Sequence, residues 1–136
     1  MIVVDVNVVA YLYLPGPFTQ SAENLLLRDA DWAVPRLWRS EFRNILTTYR
    51  RRQLIDQNTA LMIQAQAEQQ LAGNEYSVNS TSVLTLAAQS GCSASDCEFV
   101  SMAMALNTWL VTNDRKLLQA FPEVAITADA FLRRGA

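Results

Sequence analysis

The chain has 136 residues, 51% of them hydrophobic and 18% charged, which suits one packed domain and excludes both a disordered chain and two domains. Eleven basic against thirteen acidic residues give a net charge of −2, so overall charge does not point to nucleic acid. There is no histidine, which removes Ser-His-Asp and Cys-His catalysis, histidine metal sites and histidine-based RNA cleavage. What remains is carboxylate chemistry with a hard metal, or chemistry on Lys, Tyr or Cys.

Met1 to Val4 is a β-branched run without alternation, the pattern of a strand buried on both faces. Asn7 can cap a short helix through Val8, Val9 and Tyr11 to Leu14, stopped by Pro15-Gly16-Pro17. Thr19 to Arg28 reads as a second helix with Ala22, Leu25 and Leu26 inward. Trp32 to Val34 is a strand, and Pro35 opens a long helix from Arg36 to about Arg52. Residues 56–72 give another helix ended by Gly73, Tyr76 to Val78 a strand, and Thr81 to Gln89 a helix.

Ser95-Asp96-Cys97-Glu98 has the form of a capping box, so a helix is expected from there to about Leu106. Trp109 to Thr112 follows as a strand, Asp114 to Ala120 as a helix and Val124 to Ile126 as a fifth strand. Such alternation implies a parallel sheet in an α/β domain spanning 1–136. Cys92 and Cys97 have no thiol or imidazole partners for zinc or a disulfide framework, which fits reduced cytosolic thiols. No apolar run approaches the ~20 residues of a membrane span. Residues 1–14 lack a basic start and carry Asp5, unlike a signal peptide. A cytoplasmic protein is expected.

Ligands of open parallel sheets bind at the carboxyl ends of strands, near the point where strand order reverses. Asp5 ends the first expected strand and Asp114 follows the fourth. Each has an alternative role as a helix cap. Glu41 borders the apolar stripe of Trp38, Phe42, Ile45, Leu46 and Tyr49, where an acid is either paired or a ligand. Asp96 meets the dipole at the start of its own helix. If these four acids converge they repel unless a divalent cation neutralises them. Oxygen-only ligands select Mg²⁺ or Mn²⁺.

The chain resembles the PIN-domain family and, in size and layout, VapC-type toxins of bacterial toxin–antitoxin systems. The resemblance rests on Val3-Val4-Asp5-Val6-Asn7, Ser40-Glu41-Phe42, Asp96 with Phe99 to Ala103, and Leu110 to Leu117, an ordered set spanning nearly the whole chain. It implies a five-stranded parallel sheet of order 3-2-1-4-5, flanked by helices. It also implies an Mg²⁺- or Mn²⁺-dependent endoribonuclease with Asp5, Glu41, Asp96 and Asp114 as catalytic acids. Asp5 with Asp96 or Asp114 would hold the metal, while Asn7 and Thr112 would support the site. Asn7 stands where Ser or Thr is frequent in the family. The resemblance further implies homodimers formed near the first helix, where Tyr11, Leu12, Tyr13 and Leu14 crowd apolar side chains. An antitoxin laying an Arg across the acids is implied as well.

Arg36, Arg39, Arg43 and Arg50 fall within a ~60° arc of the long helix at ~100° per residue. They are candidates to hold RNA phosphates, with Arg115 and Lys116 beside Asp114. The alternative is a solvated face paired with neighbouring acids. Two other functions compete with the nuclease. One is a PIN-like module that binds RNA or protein without cleaving. The other is a phosphatase of the haloacid dehalogenase type, disfavoured because Asp5-Val6-Asn7 lacks its second acid and Lys116 is the only lysine.

Overall fold

The computed structural model describes residues 1–134, so the end of the expected 1–136 domain lies outside the described residues. Strands β1 (Ile2–Val4), β2 (Trp32–Pro35), β3 (Glu75–Tyr76), β4 (Leu110–Val111) and β5 (Ala125–Ile126) form one sheet in the order β3-β2-β1-β4-β5. All its pairs are parallel, with Val3 registered between Ala33 and Leu110 and Val4 beside Val111. The strand order reverses between β1 and β4, as the family resemblance implied. Ile2, Val3 and Val4 are buried throughout, which is what a non-alternating central strand requires.

Helices α1 (Val6–Tyr13), α2 (Thr19–Arg28), α3 (Trp38–Arg51), α4 (Gln57–Gln70), α5 (Ser80–Ser90), α6 (Ala94–Ala105), α7 (Arg115–Ala120) and α8 (Ala128–Arg134) complete the described residues. α6 lies against β1, β2 and β4 with α5 packed on it, while α1 joins α2 and α3. The core includes Trp32, Trp38, Phe42, Leu25 and Leu110, all essentially without solvent contact. Both cysteines are free and buried. Among the described residues no helix is long and apolar enough to cross a membrane.

Several boundaries differ from the sequence expectation for identifiable reasons. Asp5 and not Asn7 caps α1, its carboxylate accepting from the Asn7 N–H at 3.2 Å. The cap of α6 is Ser93, whose hydroxyl accepts from the Asp96 N–H at 3.0 Å. Asp96 therefore takes the third helical position, and Glu98 is not part of the box. β3 lies at Glu75–Tyr76, one residue earlier than expected, because Arg39 neutralises the glutamate that strand propensity disfavours. The chain then turns toward Asn79, the cap of α5. α8 was not expected, although Thr127 caps it by accepting from the Ala130 N–H at 3.1 Å, with Asp129 in its first turn. It docks on α2 through Ser21 to Asp129 at 2.7 Å and Arg28 to the Leu132 carbonyl at 3.0 Å.

The apolar crowd on α1 is largely absorbed within the fold. Leu14 is buried, and Tyr11 packs on Phe18 with ring centroids 5.0 Å apart. Tyr13 meets Phe42 edge-on at 6.2 Å. Leu12 faces Leu26 and Leu27 across a groove between α1 and α2.

Candidate active site

The site forms where β1 and β4 deliver their carboxyl ends side by side. Asp5 follows β1 directly, and its backbone N–H donates to the Val111 carbonyl at 3.0 Å. Thr112, fully buried, donates its hydroxyl to Asp5 Oδ2 at 2.7 Å and accepts from the Asp114 N–H at 3.0 Å. One threonine thus ties the first acid to the backbone of the last. Asp114 uses Oδ1 to cap α7, accepting from Lys116 and Leu117 at 2.8 and 3.1 Å. The cap role foreseen for it is thus present, and its Oδ2 takes no part in the cap.

The other acids arrive from helices. Asp96 sits in the first turn of α6, and Asp5 interacts repulsively with both Asp96 and Asp114. Burial is the larger reason that the Asp5 carboxyl is held above its ordinary value; bonds from Thr112 and Asn7 oppose the rise. Glu41 projects from the first turn of α3, where burial, then Asp5, Asp96 and Glu98, push its pKa up to about 7. Its Oε1 is buried without a hydrogen-bond partner among the described residues. Glu98 joins this group and was missed in the sequence, where the S-x-x-E pattern assigned it to a cap. Its spacing from Asp96, two residues along one helix, gave no signal that both would lie within electrostatic reach of Glu41.

Asn7 contributes differently from expectation. Its contact with Asp5 runs through the backbone N–H, and its residue is exposed.

The expected arginine stripe divides. Arg39 is committed to structure: it clamps Glu75 through Nε and Nη2 at 2.6 and 2.8 Å and reaches Glu68 at 2.9 Å. That is the alternative of pairing with neighbouring acids. Arg43 and Arg50 line a groove between α3 and α4 with Leu46, Gln57 and Gln64. Ile45, Thr48 and Tyr49 line the opposite seam, against α1. At ~100° per residue Glu41 points to that second side, so the structure does not bring Arg39, Arg43 and Arg50 to the acids. Arg36 lies at the end of β2, bonded to Ser77 Oγ at 3.3 Å. Arg115 and Lys116 are exposed beside Asp114 and unpaired among the described residues.

The donor set suits a hard divalent cation. Every candidate ligand is an oxygen, Glu41 carries an unmet buried acceptor, and Asp5 and Glu41 are each pushed up by burial and then by neighbouring acids. Among the described residues no three acids are close enough to form a ready cage. Mg²⁺ does not need one: it commonly takes one or two carboxylates and keeps its remaining positions for water and phosphate oxygens.

Sheet order and acid placement together define an α/β domain with an acidic site at its strand-order switch. The chain belongs to the PIN domain family, whose model matches residues 2–125. Members of that family are typically metal-dependent nucleases. Two solved structures are similar in fold. PAE2754 from Pyrobaculum aerophilum has a TM-score of 0.76 at 19% identity, covering 98% of this chain and 87% of its own. FitAcB from Neisseria gonorrhoeae has a TM-score of 0.74 at 14% identity, covering 94% of this chain and 98% of its own. No curated protein matches the sequence.

Proposed function

We propose that this chain is a metal-dependent endoribonuclease that hydrolyses RNA phosphodiester bonds, acting in the cytoplasm as the toxin of a toxin–antitoxin pair. The observation that carries the catalytic reading is the buried, unpartnered Oε1 of Glu41 facing Asp5, Asp96 and Glu98. Buried acids without a cationic neighbour are unfavourable unless a ligand compensates them. Family membership and the retained quartet Asp5, Glu41, Asp96 and Asp114 support the same reading.

Asp5, Asp96 and Asp114 are the residues that would hold Mg²⁺ or Mn²⁺. When bound, such an ion supplies Lewis acidity toward a phosphoryl oxygen and offsets charge developing there. Thr112 fixes the Asp5 carboxylate by donating to Oδ2, which leaves the carboxylate's further lone pairs for a ligand. Glu41, with a pKa pushed up to about 7, would accept the proton of the attacking water. Arg115 and Lys116 flank the site where a phosphate would enter. Homodimer formation is proposed for the α1–α2 groove of Leu12, Leu26 and Leu27, the last 87% exposed, and the antitoxin is proposed to lay an Arg across the acids.

The test is cleavage of total cellular RNA by wild type and Asp5→Asn with Mn²⁺, Mg²⁺ or EDTA. Discrete fragments that vanish with EDTA and with the variant are expected. Absence of cleavage by antitoxin-free wild type would favour a module that binds RNA or protein without cutting.

A further inference from the structure

Beside the acids, α1 and α3 leave a cavity of about 220 Å³ that the nuclease reading has not used. Asn7, Ala10 and Tyr11 from α1 and Ile45, Thr48 and Tyr49 from α3 line it. Both sets are single helical stripes that begin at the site: Asn7 lies two residues after Asp5, and Ile45 is one turn after Glu41. Helical side chains lean toward the helix N-terminus, and here both N-termini lie at the acids. Tyr11 accordingly reaches back, its phenol within interaction range of Asp5, Asn113 and Tyr49. Its ring is fixed by Phe18 at 5.0 Å.

We propose that this cavity is a nucleobase subsite, in which one unpaired base of a single-stranded RNA seats against Tyr49 and Tyr11 while the adjoining phosphate lies at the acids. This deepens the nuclease reading and rests on it for the placement of the phosphate. Two half-buried aromatic rings, one of them within interaction range of Asp5, meet the physical requirement of single-strand recognition. An unstacked base needs a π face, and it needs polar groups at its edge. Asn7 and Thr48 supply those groups; both are exposed, and neither side-chain amide nor hydroxyl is committed to the core. Thr48 does donate to the Asn44 carbonyl at 3.1 Å, which leaves its oxygen as an acceptor. A paired duplex cannot enter, because its bases remain stacked on each other. The Tyr11 phenol lines the cavity and lies within interaction range of Asp5, which favours RNA over a peptide side chain as occupant.

The test uses the full chain in EDTA, so that binding is read without cleavage. The probe is a short single-stranded oligoribonucleotide containing a fluorescent purine analogue at successive positions. Wild type is expected to quench the analogue at one position. Tyr49→Leu should lift that quench and weaken binding about ten-fold, the scale of one lost base–aromatic stack. Tyr49→Phe, which keeps the ring, should retain both. Thermal melting of each variant separates loss of stacking from loss of fold, and Tyr49→Gln, which removes the ring from the same half-buried position with a polar side chain, keeps the test decisive if the leucine variant unfolds. Unchanged quenching and affinity in a folded Tyr49→Leu would overturn the subsite, even where Asp5→Asn abolishes metal-dependent cleavage. Failure of wild type to bind the probe would overturn it as well, and a peptide occupant would then be the reading to pursue. Tyr49-dependent quenching without any cleavage in Mn²⁺ would keep the subsite and defeat the nuclease reading instead.

Discussion

The first turns of α3 carry two acidic neighbourhoods that use opposite physics. On one side Glu75 accepts from Arg39 twice and from the buried Trp38 Nε1 at 2.7 Å, and these bonds, Arg39 first, hold its carboxyl below the ordinary value. On the other side Glu41 faces Asp5, Asp96 and Glu98 with no cation among the described residues, and its pKa is pushed up to about 7. Arg39 and Glu41 are two residues apart and point to opposite sides of the helix. A fold that can neutralise one glutamate so completely has not done so for its neighbour. The difference separates a carboxylate that stabilises the fold from carboxylates kept in need of a ligand.

The largest expected effect is on catalysis. Glu41→Gln preserves shape and removes the proton acceptor, so cleavage in Mn²⁺ should fall about 10²-fold or more. Glu75→Gln, on the other side of the helix, should leave cleavage per folded molecule within a few-fold of wild type. Equal losses in the two variants, measured as kcat/KM on a defined RNA, would erase the distinction.

Stability should show the reverse ranking. Glu75→Ala strips the acceptor from Trp38 Nε1, and an unsatisfied buried donor costs about 1–3 kcal/mol, to be read from urea unfolding. pH sharpens the contrast further. Glu41 binds its proton more tightly folded than unfolded, so its contribution is fully present below pH 4.5 and is lost as pH rises through about 7. Glu75 is depressed, so its contribution is present above its ordinary 4.5 and is lost as pH falls through the lowered value. In EDTA, melting temperature should therefore drop between pH 5 and 8, and Glu41→Gln should flatten the drop. Mn²⁺ should raise the melting temperature more at pH 8 than at pH 5. A wild-type curve with no such decline would mean that Glu41 titrates as an ordinary surface acid.

Much of this arrangement was legible in the sequence, and the illegible parts share a cause. Asp5 and Asp114 stood out because strand ends are recognisable from a buried β-branched run and from a helix start. The order of strands that brings them together came from family resemblance, since periodicity carries no information about which strands are neighbours. Glu98 was hidden because a local rule, the capping box, explained it adequately; only tertiary packing turned it toward Glu41. Arg39 misled in the opposite way. The arc arithmetic correctly placed it with Arg43 and Arg50, but an arc has no absolute direction until the helix is docked. β3 supplied the missing fact by carrying Glu75 to Arg39.

That direction yields the smallest and most discriminating effect. Each phosphate contact on single-stranded nucleic acid contributes about 0.7 to the slope of log affinity against log salt. If RNA enters over the acids, Arg115→Gln and Lys116→Gln should each reduce the slope by about that amount. Arg43→Gln and Arg50→Gln, on the α4 side of α3, should leave it unchanged. All four residues are exposed and unpaired among the described residues, so the substitutions disturb the fold little and the slopes report contact geometry. The opposite pattern would place the strand in the α3–α4 groove, separate it from the tyrosine-lined cavity, and require the RNA to bend around α3 to reach Glu41.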